Sequence, residues 1–493
     1  MSNCVTGIVP YDLLIIGGGI NGCAIAREAS LAGLKVLLVE KDDLASHTSS
    51  ASTKLIHGGL RYLETYEFRL VHEGLHERER LLTAAPHLIR PMTFVLPHAH
   101  ALRPWWVVRA GLWLYDRLAG KSALPRSRSL HASDTAFTDP LAGDHRGFVY
   151  SDAWVDDSRL TLANALDAAA HDAEIATRTE FRAARRTGDM WQVDLSDGRT
   201  VEARALVNAA GPWVRTIIDN TPVATHSQVR LVKGSHIVVP RLFEGEHAYI
   251  LQQPDRRIVF AIPYEGGFTE IGTTDVPVER PEDANCSQEE VQYLCDAVNR
   301  YFTRQIAPGD VVWNWSGVRP LHDDGAAKAQ AVTRDYVLEL DTEGPPLLSV
   351  FGGKITTARA LAEEAMEKMS SLLGIEPRCR TRARAFPGGM IADFELHCAH
   401  VLARWPFLGA DRARRMAHGY GTLLGEMLRD VRDEAGMGAA FGAGLTEVEA
   451  RWMHDREWAR TPEDALFRRS KLGLHLDAAE RDAFARWWTA TFA

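Results

Sequence analysis

Gly17, Gly19 and Gly22 form the pattern G-x-G-x-x-G, a spacing that lets backbone approach a pyrophosphate closely at the start of a helix. Glu40 follows, where an acidic side chain can accept hydrogen bonds from a ribose 2′-hydroxyl and so favours an unphosphorylated adenosine ribose. The plain alternative for the glycines is a tight structural turn. A second stretch, TSSASTKLIHGGLRYLE at 48–64, puts small hydroxyl residues ahead of Lys54, His57 and Gly58-Gly59, which suits backbone passing over a flat ring; it also reads as a serine-rich loop. The glycine pattern does not separate NAD from FAD, because both present the same adenosine diphosphate.

These groups need elements to hold them. YDLLII at 11–16 is a short apolar run, followed by the glycines and by an alanine-rich stretch that closes at Gly33; a second apolar run, Val36 to Val39, ends on Glu40. Strand, helix and strand make a βαβ unit in a buried parallel sheet. WQVDLSDGRTVEARALVNAAG alternates about an Asp197-Gly198 turn as a hairpin does, then enters another apolar strand. LLSVFGGKITTARALAEEAMEKM passes from a strand through Gly352-Gly353 into a helix near Thr356, so three dispersed segments are expected to share one sheet. The fold class expected is α/β, a Rossmann-type domain from 1–70, 151–224 and 336–385, interleaved with an α+β substrate domain from 71–150 and 225–335. Residues 390–493 read as a helical C-terminal domain, with a helix start at Thr461-Pro462-Glu463-Asp464.

Composition narrows the function classes. With 56 Lys and Arg against 65 Asp and Glu, the net charge of -9 gives no general attraction to nucleic acid, so any basic site is local. The six cysteines show no C-x-x-C pair and no metal spacing with the histidines, which fits a reduced, cytosolic compartment and an absence of bound metal. No apolar window is long enough to span a bilayer. RPWWVVRAGLWLYDRL at 103–118 mixes three tryptophans with arginines, the chemistry of an interfacial helix; a helix packed in the substrate domain is the competing reading.

The words IIGGGINGCAIA, TSSASTKLIHGGLRYLETYEFRLV, YSDAWVDDSRL, LVNAAGPWV, KGSHIVVPR, IGTTD, SGVRPL, TRDY and SVFGGKITTAR occur here in order. The sequence resembles the aerobic, FAD-dependent glycerol-3-phosphate dehydrogenases, within the wider D-amino-acid-oxidase-like flavoprotein family. The resemblance implies that Gly17, Gly19, Ile20, Asn21, Gly22 and Glu40 hold the ADP part of FAD, and that Ser49, Ser50, Thr53, Lys54, Leu55 and His57 line the riboflavin part. It further implies Ala210, Gly211 and Trp213 beside the cofactor, and Gly352, Gly353, Lys354 and Thr356 at the pyrimidine side. Backbone N–H groups at a helix start can stabilise a reduced, anionic ring there.

The implied substrate, glycerol 3-phosphate, carries a phosphate dianion, which guanidinium groups match in shape and charge. Arg61, Arg319 and Arg334 fall in the matching words, together with Tyr62 and Thr274, although a single arginine is more often a surface ion pair. Oxidation at C2 calls for a base. His236 and His57 are both candidates, and Lys354 and Arg319 can orient the hydroxyl or offset charge. The resemblance also implies a membrane quinone as electron acceptor, a cytoplasmic chain held peripherally on the cytoplasmic face of the inner membrane, and room for a homodimer. An oxidase delivering electrons to oxygen, a flavin-binding protein without turnover and an NAD-linked hydroxy-acid dehydrogenase remain the alternatives, the last disfavoured by the late GGK segment.

Overall fold

The computed structural model describes residues 10–131, 133–143, 145–322 and 335–492. Strand Tyr11–Ile16 is apolar beyond Asp12 and lies between Val36–Val39 and Thr200–Asn208, parallel to both. Leu347–Phe351 pairs in parallel with Thr200–Asn208 on its far side. The three dispersed segments thus meet in one sheet of eight strands, edged by Val337–Asp341 and Glu174–Ala176. Uninterrupted apolar runs such as LLII and VLLV suit strands covered on both faces. Helices Ile20–Leu31, Asp157–Ala169 and Ala358–Leu373 supply one cover, sharing an apolar core with the strands. The hairpin expected about Asp197-Gly198 joins Met190–Leu195 to Thr200–Asn208, and Gly198 takes the left-handed conformation that the turn requires.

A second sheet of ten strands is mostly antiparallel. It runs from Leu55–Ile56 through Gly147–Val155 and Ile89–Pro97 to Ala248–Gln252, Ile258–Tyr264, Phe268–Gly272 and the long strand Val229–Pro240, which also pairs with Trp313–His322. Helices Phe68–Ala84 and Trp105–Leu118 pack on one part of it. Gln288–Asn299 packs on another, its N-terminus closed by a Ser287/Glu290 capping box. The architecture is the mixed α/β class expected, with a helical C-terminal part that has its own apolar core around Met416, Tyr420, Met453 and Trp488. Its helix near 461 begins as the sequence indicates: Asp464 accepts from the N–H groups of Arg460 and Thr461, and its own N–H donates to Thr461 Oγ1.

The C-terminal part is fastened by buried charge. Arg159 donates to both carboxylate oxygens of Glu457 at 2.8 and 3.2 Å, Arg469 does the same to Asp43 at 2.7 and 2.8 Å, and Lys471 pairs with Asp156. Asp43 sits just beyond Glu40, so this clamp reaches the loop that leads into the 48–64 segment.

Candidate active site

The glycine turn separates into two kinds of glycine. Gly17 has φ +112°, and a Cβ on it would lie 2.5 Å from the Ala209 carbonyl oxygen; one on Gly22 would lie 1.9 Å from the Gly17 carbonyl oxygen. Both are therefore fixed by close packing of strand against helix. Gly19 has an ordinary φ of -79°, and an added Cβ would meet only Ser49 Oγ, at 3.1 Å. Nothing in the fold demands a glycine there, and the position opens on a cavity. That is where a bound pyrophosphate needs the space. Glu40 is buried beside it, accepting from Gly18 N at 2.6 Å and Asp42 N at 2.9 Å. Burial raises its pKa, and the two N–H groups work in the opposite direction.

The cavity has a volume of about 1990 Å³ and runs between the two sheets. Gly17, Gly19, Ile20, Asn21 and Glu40 line it, together with Ser49, Thr53, Leu55 and His57, with Ala210, Gly211 and Trp213, and with Gly352, Gly353, Lys354 and Thr356. The late GGK segment is tied to the first helix, since Asn21 Nδ2 donates to the Gly352 carbonyl at 3.2 Å. Gly353 has φ +98° and leaves no room for a Cβ against Asn21. An open glycine, a buried carboxylate beside it and a second glycine turn at a helix start, all lining one large cavity, fit an FAD.

The same lining also carries cations. Arg61, Tyr62 and Arg319 share the cavity with Lys354, whose Nζ lies 4.0 Å from the Tyr62 ring centroid. Arg319 donates to Asp275 Oδ1 at 2.7 Å and Thr273 Oγ1 at 3.1 Å. Arg61 has no carboxylate within ion-pair distance among the described residues. Thr273, Asp275 and Glu282, the last receiving the Trp213 indole N–H at 2.7 Å, are lining residues the sequence reading missed. The IGTTD word held the signal for the first two, but only the tie of Thr274 to Glu290 and Ser235 decides which threonine faces the cavity.

Several expected contacts lie elsewhere. Thr274 is buried away from the cavity, donating to Glu290 Oε1 at 2.6 Å and accepting from Ser235 N, so its neighbour Thr273 takes the lining position. Lys54 points away too: its Nζ is 2.9 Å from Asp157 Oδ1 and 3.0 Å from the Ser50 carbonyl, a buried ion pair that pins the 48–57 loop to the helix beginning at Asp157. Ser50 faces the same side as Lys54. Gly22 lies beneath the turn rather than at its surface. His236 is fully buried behind Thr53, whose Oγ1 is 2.9 Å from His236 Nε2, so it reaches the cavity only through that hydroxyl. Burial, then Arg319 and Lys54, hold its pKa well below the ordinary histidine range. Arg334 lies outside the described residues.

Comparison with known proteins agrees with this geometry. Residues 12–359 match the model of the FAD dependent oxidoreductase family, and residues 379–487 match the C-terminal domain of alpha-glycerophosphate oxidase. The chain belongs to the FAD-dependent oxidoreductase family. FAD is its cofactor. Among similar proteins of this flavoprotein family, a D-erythritol 1-phosphate dehydrogenase of Brucella abortus is 49% identical, with 97% of each chain covered. A glycerol-3-phosphate dehydrogenase of Pseudomonas aeruginosa is 48% identical over 96% of this chain and 93% of its own. The crystal structure of the glycerol-3-phosphate dehydrogenase from Bacillus halodurans complexed with FAD superposes with a TM-score of 0.78 at 27% identity, covering 98% of this chain and 91% of that one.

Proposed function

We propose that this flavoprotein oxidises the secondary alcohol of glycerol 3-phosphate to dihydroxyacetone phosphate and passes the electrons to a membrane quinone. The observation that carries the substrate is Arg61, a guanidinium left without a carboxylate among the described residues, in the same cavity as Arg319 and Lys354. Such a cation, in the cavity that fits the cofactor, suits a phosphate monoester. Bound FAD supplies the acceptor for the C2 hydride. Arg319, oriented by Asp275 and Thr273, and Lys354, stacked on Tyr62, hold the phosphorylated alcohol in position, and His57 and Thr53 line the same cavity.

D-Erythritol 1-phosphate is the specific second reading, because a relative as similar as the glycerol-3-phosphate enzymes carries that name. Both molecules present a phosphate one carbon from a secondary alcohol, so the same cations serve either. Anaerobic addition of each to the purified protein, followed through the flavin absorbance, tests the proposal. Bleaching by glycerol 3-phosphate with the higher kcat/KM supports it; selective bleaching by D-erythritol 1-phosphate moves the substrate, and no bleaching by either refutes the activity.

Support for the quinone comes from the cavity mouth. Helix Trp105–Leu118 contributes Val107, Val108 and Gly111 to the lining, and exposes Trp106 (71%) and Trp113 (52%), seven residues apart on one face. Tyr66 and Leu102 are exposed at the same rim. Among the described residues no helix is long and apolar enough to cross a membrane. An aromatic face flanked by Arg103, Arg109 and Arg117 suits a peripheral hold on the cytoplasmic face of the inner membrane, with the cavity opening toward the lipid. Reoxidation of the reduced protein by quinone in vesicles, faster than by oxygen, is the expected outcome; stoichiometric hydrogen peroxide instead would make the enzyme an oxidase.

A further inference from the structure

Oxidising an alcohol in the cavity releases a hydroxyl proton, and a polar chain leads away from the site. Thr53 lines the cavity with its Oγ1 2.9 Å from His236 Nε2. His236 lies opposite Gly272 in the sheet, where an added Cβ would fall 1.9 Å from the imidazole; glycine makes the space for the ring. Trp315, opposite His236 on the other side, stacks on it at 5.3 Å between centroids. Glu270, two residues before Gly272 on the same face, places Oε1 3.8 Å from His236 Nε2. It is fully buried, and neither carboxyl oxygen has a hydrogen-bond partner among the described residues. An orphaned buried carboxyl costs stability. Nothing in the packing of the sheet requires one. Trp315, which stacks on His236, also lines a second cavity of about 170 Å³ together with Lys54, Tyr264, Ser316 and Lys471, large enough to take water.

We propose that Thr53, His236 and Glu270 form a proton relay that carries the substrate's hydroxyl proton out of the cavity and stores it on Glu270. The relay rests on the alcohol oxidation proposed above. As the C2–H electron pair leaves for the acceptor and C2=O forms, the O–H bond breaks. The proton passes to Thr53 Oγ1, whose own proton moves to His236 Nε2; the imidazolium then gives a proton to the Glu270 carboxylate and returns to neutral. Rotation of the His236 or Glu270 side chain closes the 3.8 Å gap, and the second cavity offers the proton its exit to water.

The charges around the pair set the pH at which the store is empty. Burial pushes Glu270 up to about 8, with Lys54 opposing and Asp157 and Glu265 adding to the rise. Burial, Arg319 and Lys54 keep His236 neutral. Tyr264, also buried, stays protonated. Below about pH 8 Glu270 already holds a proton and the relay is full; above it the carboxylate can accept. Flavin reduction therefore accelerates as pH rises through that value.

Glu270→Gln keeps the shape and removes the titration. Stopped-flow reduction of the holoenzyme should lose its alkaline rise in E270Q and fall roughly tenfold or more at pH 9, a loss within the scale of acid–base catalysis. Thr53→Val should slow reduction while leaving the substrate Kd close to that of the parent. Infrared spectra of the substrate-free holoenzyme give a readout independent of turnover: a protonated carboxyl band below pH 8 that E270Q lacks. An unchanged pH profile in E270Q, or no Glu270-dependent carboxyl band at neutral pH, overturns the relay. If neither polyol phosphate bleaches the parent flavin, the proposed activity fails instead, and the infrared titration alone decides whether Glu270 stores a proton.

Discussion

At the scale of single residues, the site divides into positions the fold needs and positions only a ligand needs. Gly17 and Gly22 belong to the first kind and Gly19 to the second. Gly19→Val is therefore expected to fold and to purify without its yellow colour, as read from the flavin-to-protein absorbance ratio; a variant with full flavin content would move the pyrophosphate elsewhere. Arg61→Ala should lose a charged hydrogen bond to substrate worth about 1.5–3 kcal/mol, roughly a tenfold to hundredfold fall in kcat/KM, with FAD content unchanged. Arg319→Ala should cost more, because it also leaves Asp275 facing the phosphate without its partner. Equal kinetics in both variants and the parent would remove these arginines from the site.

At the scale of elements, helix Trp105–Leu118 is not uniform. Trp105 lies 4.0 Å from Phe148 between ring centroids and contacts His98, so it belongs to the core of the substrate part, whereas Trp106 and Trp113 face outward. The double change Trp106→Ser with Trp113→Ser should reduce sedimentation with anionic lipid vesicles and activity with long-tail quinones, leaving activity with a soluble dye intact. Trp105→Ser should instead lower the melting temperature and all activities together, through loss of an aromatic pair worth about 0.5–1.5 kcal/mol beyond its buried area. If the double variant loses dye activity in parallel, the outer face is structural and the membrane contact lies elsewhere.

At the scale of the whole molecule, the C-terminal part holds on through buried ions and histidines. Arg159 and Glu457 are both buried, so Glu457→Ala leaves an uncompensated guanidinium and is expected to destabilise the protein by about 3–5 kcal/mol, visible as an earlier melting transition. His87 is wedged against Gly388 and Gly421 of the C-terminal part, and His418 Nδ1 lies 3.1 Å from the His87 carbonyl. Burial pushes His87 down to about 3 and His418 to about 4. Both are neutral in the fold but take protons once unfolded, so stability should fall as pH drops from about 6.5 through 4. His418→Gln should shallow that slope in a melting-temperature series; an unchanged slope would place the acid sensitivity elsewhere.

Much of this protein was legible along the chain because its information is local. A G-x-G-x-x-G turn between an apolar strand and an alanine-rich helix, an acid at the end of the next strand and a late GGK before a helix each announce an element and its role, since backbone geometry and apolar period are set within a few residues. The family words then carried the cofactor. What the chain could not disclose is which way a side chain faces when sheets from distant segments close on one another. Thr273 rather than Thr274 meets the cavity, Lys54 turns to Asp157, and His236 lies one hydroxyl away from the cavity, because contacts between distant segments decide these directions. Along the sequence Glu270 is one acid among 65. Its meaning arises only from burial beside His236, where the loss of water, a tertiary effect, changes what a carboxyl group can do.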